Sequence, residues 1–241
     1  MSILAWNCQG ASSSSFLRSF KLFMQHHKPC LIALFEPCIS RLRADRVITS
    51  LGFSHSHCIK AMGFSGGIWL LWNDSWRVVP IFNHDQYVHV SVFMGSALLM
   101  DCSFIYASPV PNKRWLLWVS MSAKWVQLGD FNAIVSKDKR SGGSFHDFNL
   151  LDLGFKGLKF TWKRGKLQER LDKALCNSKW RLSFPKAAGD KDNSLCQSVV
   201  IITILYLLVG LFRSCISCLM YIYINSYNMT LGNINHISTW Y

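Results

Sequence analysis

The sequence predicts an α/β domain of stacked β-sheets with helices on the outside. Short apolar runs bounded by turn residues recur along most of its length, and helical spacing of apolar residues appears only in brief stretches between them. Half of the 241 residues are hydrophobic, which is ample for a core. There is no internal repeat.

Taken in order, Ser2 to Trp6 is an apolar strand that stops in the polar loop Asn7-Cys8-Gln9-Gly10. Ser12 to Ser15 are helix-entry residues, and Phe16, Phe20, Phe23 and Met24 then recur at helical spacing until Lys28-Pro29 closes the helix. Cys30 to Phe35 is a second strand and delivers Glu36, either a ligand or a solvated cap. Arg41 to Leu51 reads as a short basic helix capped by Gly52. Four strands follow, at 66–72, 78–81, 87–93 and 98–106. In the third of them Val88, Val90 and Val92 alternate with His89 and Ser91, which makes His89 an exposed strand residue. Lys113 to Trp125 has helical character. Leu150 to Phe155 reads as a turn, Phe160 to Gly165 as a strand and turn, and Glu169 to Leu175 as one more short element.

The centre of the reading is Val126-Gln127-Leu128-Gly129-Asp130-Phe131-Asn132. Residues two apart on a strand share a face, so Asp130 and Asn132 can converge on one ion or substrate atom. A carboxylate beside an amide suits a magnesium-dependent phosphate site, since the acid holds a hard cation or accepts from water. Gly-Asp-x-Asn is also good turn chemistry.

The formal charge is +13, which points to a polyanionic partner. Of the 26 Lys and Arg, 13 lie between Lys137 and Lys186, against five acids there. Lys159, Lys163 and Arg164 surround Trp162, so charges for phosphates and a ring for stacking are interleaved. The alternative is a core strand with a solvated basic edge. The nine scattered cysteines and the absence of a signal-peptide pattern before Arg18 fit free thiols in a reducing compartment. Cys215 and Cys218 have no second pair to complete a metal site.

Beyond residue 186 the composition changes. From Asn193 to Tyr241 the one charged residue is Arg213, and residues 199–224 are long and apolar enough for a membrane span. The expectation is therefore a domain over 1–186 and an unrelated hydrophobic tail over 187–241. That tail is a membrane anchor, a buried helix, or a foreign end joined by an altered reading frame. The chain is placed at a membrane if the tail spans it, and in the nucleus or cytoplasm otherwise.

Five segments, in order, carry a resemblance: Trp6-Asn7-Cys8-Gln9-Gly10, Leu34-Phe35-Glu36-Pro37, Phe104-Ile105-Tyr106-Ala107-Ser108-Pro109, Gly129-Asp130-Phe131-Asn132 and Glu169-Arg170-Leu171-Asp172. Together they resemble the endonuclease/exonuclease/phosphatase superfamily, and most of all the endonuclease domain of plant LINE-type retrotransposons. The resemblance covers about residues 1–186. It implies a four-layer α/β sandwich, incomplete at its C-terminal end, and phosphodiester cleavage, of DNA more than RNA, with Mg2+ or Mn2+. By the same resemblance Glu36 holds the metal with Asn7 beside it, Tyr106 contacts the scissile phosphate, Asp130 activates the attacking water next to Asn132, and Asp172 orients a histidine. The family closes with Ser-Asp-His. Here no such tripeptide follows Asp172, and the last histidine is His236. The expectation is a weak or inactive nuclease, or a non-catalytic nucleic-acid-binding relic.

Overall fold

The computed structural model describes residues 1–39, 41–59, 67–120, 126–132, 150–156, 160–164, 166–184, 189–190, 199–203, 205–206 and 220–221. In chain order these form β1 (Ser2–Asn7), α1 (Ser14–His27), β2 (Leu31–Phe35), α2 (Arg41–Ser50), β3 (His55–Ile59), β4 (Ile68–Trp72), β5 (Arg77–His84), β6 (Tyr87–Met94), β7 (Ala97–Tyr106) and α3 (Pro111–Ser120). They continue with β8 (Val126–Asp130), β9 (Leu150–Asp152), β10 (Phe155–Lys156), β11 (Trp162–Arg164), β12 (Leu167–Glu169), β13 (Asp172–Asn177), α4 (Ser178–Ser183), β14 (Gly189–Asp190), β15 (Val199–Thr203), β16 (Leu205–Tyr206) and β17 (Met220–Tyr221).

Two mixed sheets result. The first runs β10-β14-β15-β1-β2-β4-β3 and the second β5-β6-β7-β8-β13-β9, with β11-β12 and β16-β17 as separate two-stranded pairs. Strand alternation sorts the apolar residues between layers. On β1, Ile3 and Ala5 enter the core shared with Val88, Val90, Val92, Phe104 and Leu128 of the second sheet. Leu4 and Trp6 face the other way, onto Phe16, Phe20 and Phe23 of α1 and Ala44 and Ile48 of α2. Leu117 of α3 packs on Tyr87, Ile105 and Leu175 across the outer face of the second sheet. Helix, sheet, sheet and helix therefore stack as a four-layer sandwich.

Helix α1 is the crossover between the parallel strands β1 and β2. Ser13 caps it, accepting from the Phe16 N–H at 3.1 Å, and the left-handed Lys28 ends it with its N–H bonded to the Met24 carbonyl. Both ends fall near the serines and the Lys-Pro that mark them in the sequence.

Several expectations are corrected. His89 is 2% exposed and shares a 2.9 Å hydrogen bond with Ser103, because β6 lies inside the sheet and is covered on both faces. The stretch 150–155 contains β9, which pairs with β13, and not only a turn. His55 to Ile59 forms a strand the sequence reading passed over. The tail is not set apart at residue 187: β15 pairs antiparallel with β1, from Ser2 opposite Thr203 to Trp6 opposite Val199. Val200 and Ile202 enter the core between the sheets, and Val199 and Ile201 pack on the α1 side. A strand buried on both faces is a continuous apolar run, the same signal as the start of a span. No helix among the described residues is long and apolar enough to cross a membrane. The last part, 121–125, of the helix expected over Lys113 to Trp125 and most of 204–224 lie outside the described residues.

Candidate active site

The two sheets bring their strand ends together at one edge of the sandwich. Strand β1 ends at Asn7, and β2 ends just before Glu36. Across the gap, β7 and β8 are parallel, so Tyr106 and Asp130 finish side by side, and antiparallel β13 starts with Asp172 opposite Asp130. Asn7, Glu36, Tyr106, Asp130, Asn132 and Asp172 all line one cavity of about 360 Å³. Five of the expected positions thus sit at strand ends or one residue beyond, where backbone register alone fixes their spacing.

Two hydrogen bonds join the sheets across this cavity. Asn7 Nδ2 donates to Asp130 Oδ2 at 3.1 Å, and the Tyr106 hydroxyl donates to Glu36 Oε1. The loops are tied as well. Gly10 and Ala11 donate N–H groups to the carbonyls of Glu36 and Pro37, each at 2.8 Å. Thr161 Oγ1 accepts from the N–H groups of Leu171 (2.9 Å) and Asp172 (3.1 Å), holding the β11–β12 hairpin against the start of β13.

Asp130 and Asn132 converge by a turn and not by strand alternation, which corrects the expected geometry. The strand stops at Asp130, Asn132 takes φ +44°, and its N–H donates to Asp130 Oδ1 at 2.8 Å. Its side-chain amide donates to the Ala107 carbonyl at 2.8 Å, so Asn132 locks the β7 and β8 loops together. Glu36 (φ +51°) and Gln9 (φ +45°) are also left-handed residues at the cavity. Such conformations cost about 1–3 kcal/mol each and gather where a site over-determines them.

Burial pushes the Asp130 carboxyl above its usual range. The Asn132 N–H, the Asn7 amide and the Lys173 charge oppose that rise, and Glu36 adds to it. Burial, the hydrogen bond to Glu36 and the nearby carboxylates push the Tyr106 phenol far up, so it stays a neutral donor. Arg114, half-buried, donates to the Ser108 and Pro109 carbonyls at 3.0 and 2.9 Å and is drawn electrostatically to Asp130.

The residues fit a hard divalent cation. Asn7 is 7% exposed, and its Oδ1 has no hydrogen-bond partner, a buried acceptor beside the carboxylates of Glu36 and Asp130. All three supply oxygen, which suits Mg2+ or Mn2+. No group of three or more His, Cys, Asp and Glu forms a ready cage among the described residues. Mg2+ commonly takes one or two carboxylates and keeps several waters.

Gln9, Pro109, Arg114, Glu169 and Leu171 also line the cavity and were missed from the sequence. Arg114 had one available signal, its place just after the Tyr106 loop. Of the expected nucleic-acid contacts, Trp162 lines the cavity. Lys163 and Arg164 lie with it on β11, whose backbone alone is described there, and Lys159 is outside the described residues. No histidine lines the cavity among the described residues, and His146 and His236 lie outside them.

No protein-family model matches this sequence, and no curated protein does. Solved structures do. The endonuclease domain of TRAS1, a telomere-specific non-LTR retrotransposon, is 15% identical with a TM-score of 0.59, covering 83% of this chain and 96% of that one. An AP endonuclease from Archaeoglobus fulgidus is 12% identical with a TM-score of 0.60, covering 84% and 98%. The 3′ phosphatase NExo from Neisseria, bound to product DNA hairpin, is 13% identical with a TM-score of 0.56, covering 84% and 98%. The fold of this chain is that of the endonuclease/exonuclease/phosphatase superfamily.

Proposed function

We propose that the cleft is a divalent-cation-dependent phosphodiester-cleaving site for DNA, impaired in this chain because no Ser-Asp-His tripeptide follows Asp172. The observation that carries this reading is the convergence of six polar side chains, distant in sequence, on one cavity at the joined strand ends. Neighbours of the same fold include a retrotransposon endonuclease domain and a phosphatase bound to a DNA hairpin, which supports nucleic acid as the substrate class.

Glu36, with Asn7 Oδ1 beside it, would hold Mg2+ or Mn2+, which supplies positive charge to polarise a phosphoryl oxygen. Asp130 accepts the proton of an attacking water: its carboxyl is raised toward neutrality by burial and fixed in direction by Asn132 N–H and Asn7 Nδ2. Tyr106 keeps its proton, which it donates to Glu36 here, and it could offer that hydrogen bond to a phosphate oxygen instead. Arg114 supplies a fixed positive charge at the same wall. Among the described residues this set holds no imidazole to donate to the charge gathering on the phosphorus oxygens, and loss of such a donor typically costs about 10²–10³-fold in rate.

The test is nicking of supercoiled plasmid by purified protein with Mg2+, against a Glu36→Gln variant. Slow nicking that Glu36→Gln abolishes is expected. Equal nicking by both proteins would remove the cleft from the chemistry. A second reading, a non-catalytic nucleic-acid binder, is favoured by Trp162 on the cavity wall with Lys163 and Arg164 on the same strand. That reading predicts salt-sensitive DNA binding with no Mg2+-dependent nicking at all.

A further inference from the structure

The cleft presents little positive charge to a polyanion from its described side chains in the absence of a metal. Among the described residues, four carboxylates line it (Glu36, Asp130, Glu169 and Asp172) against one arginine, Arg114, with the charge of buried Lys173 also acting on Asp130. Without a bound cation, that wall repels a phosphate backbone.

Helix α1 is built the other way. No Asp or Glu precedes Glu36 in the chain, so α1 and its flanks carry cations without a compensating acid. Arg18, Lys21 and Gln25 fall at i, i+3 and i+7, one narrow stripe of α1, Lys28 follows at its left-handed C-cap, and all four are exposed. The opposite face carries Phe16, Phe20 and Phe23, all buried. Arg18, Lys21 and Lys28 make no ion pair among the described residues. Neighbouring α2 adds the exposed Arg43 and Arg46 against one acid, Asp45.

Placement gives the stripe a direction. The loop before α1 is bonded to the Glu36 and Pro37 carbonyls at the cleft, whereas beyond its end Cys30 N–H bonds the Ser2 carbonyl at the far end of β1. The stripe therefore leads away from the cleft along the outer helical layer. Ten residues separate Arg18 from Lys28, about 15 Å of helix at ~1.5 Å per residue. That length matches about four phosphates of one strand at ~3.4 Å each.

We propose that this exposed stripe of α1 is a docking surface for the phosphodiester backbone of nucleic acid, engaged without a divalent cation and separate from the cleft. Nucleic acid is favoured over an anionic membrane because the apolar face of α1 is spent in the core. An interfacial helix needs that face free to enter the lipid. The inference does not depend on whether the cleft cleaves.

The experiment measures fluorescence anisotropy of a labelled short DNA duplex with the full chain in EDTA, across roughly 50 to 200 mM salt. The parent protein is expected to bind, and a triple variant, Arg18→Gln with Lys21→Gln and Lys28→Asn, to bind at least about 10-fold more weakly. Loss of three contacts at ~0.9 each should flatten the slope of log K against log salt by about 2–3. Asn at position 28 respects the left-handed backbone there, and an unchanged far-ultraviolet circular dichroism spectrum shows the fold intact. A charge-keeping set, Arg18→Lys with Lys21→Arg and Lys28→Arg, should bind as the parent does. The proposal is overturned if the parent shows no binding in EDTA, if the triple variant keeps the affinity and salt slope of the parent, or if vesicles containing phosphatidylserine compete better than DNA.

Discussion

At the scale of single residues, the candidate site holds a buried acid and a crowded glycine, and a substitution at each tests what it does. Asp130 is buried with its carboxyl pushed up, so the folded protein disfavours the ionised form. Its contribution to stability is greatest below the ordinary carboxylate range and is lost as pH rises through the raised value. At neutral pH Asp130→Asn should raise stability by about 1 kcal/mol while removing any Mg2+-dependent nicking. The packing allows it, because the partnerless Asn7 Oδ1 can turn to accept from the new amide. Lower urea midpoints for Asp130→Asn at pH 7.5 would contradict this. Gly129→Ala tests the residue before it. Gly129 has φ +138°, and a Cβ there would run into the Ile105 carbonyl oxygen and lie 2.9 Å from the Phe35 ring. Backbone strain and overpacking together should cost about 3 kcal/mol or more, read as a large drop in Tm or an insoluble product. The glycine in Gly-Asp-Phe-Asn is thus needed where β8 meets β7. The sequence showed the residue type, while the reason for it lies in a strand distant in the chain.

At the scale of elements, what was legible in the sequence had a period or punctuation. Strands β1, β2, β4 and β6 to β8, and helices α1 and α2, carry apolar runs or faces bounded by Ser, Gly, Pro or Asn-Asp turns. The elements that went unread lack those marks. Strand β3 is a polar edge, His-Ser-His-Cys-Ile, largely exposed, and only its pairing with β4 makes it a strand. Strand β15 has the opposite problem: burial on both faces erases alternation, leaving a run that reads as lipid-facing. The expected positions converge on one cavity because their short motifs fall at or near strand ends. Arg114 went unread, because a cation on a helix normally reads as solvated surface. The place of β15 gives a prediction. A chain stopped after residue 198 loses the strand that covers one edge of β1 and, with it, Val199 to Ile202 from both cores. It should aggregate or melt without a cooperative transition, whereas the full chain melts cooperatively. Equal melting of the two by circular dichroism would restore a boundary near residue 186.

At the scale of the whole molecule, reduced thiols are buried within the layers that hold the cleft in register. Cys30, Cys102 and Cys176 are free. Cys102 and Cys176 lie in the core between the sheets, and Cys30 packs against it with Sγ donating to the Ser2 carbonyl at 3.1 Å. Burial pushes the Cys30 and Cys176 thiols from the ordinary 9.0 up to about 11, and Cys102 further still. The sign follows directly. Below pH 9 these thiols are neutral in folded and unfolded chains alike, and their full contribution to stability is present. Above pH 9 the unfolded chain releases protons that the folded one retains, so unfolding gains with every step of pH until the folded thiols ionise near 11. Each fully buried thiol steepens the loss by up to about 1.4 kcal/mol per pH unit. The urea midpoint of the full chain should therefore be flat from pH 7 to 8.5 and fall steeply between 9 and 11. Cys102→Ala separates this cause from the titration of surface lysines and tyrosines in the same range. It should lower the midpoint at pH 7.5, for the small cavity it leaves, and shrink the alkaline fall. An alkaline fall unchanged by Cys102→Ala would place the titrating groups elsewhere than in the core between the sheets.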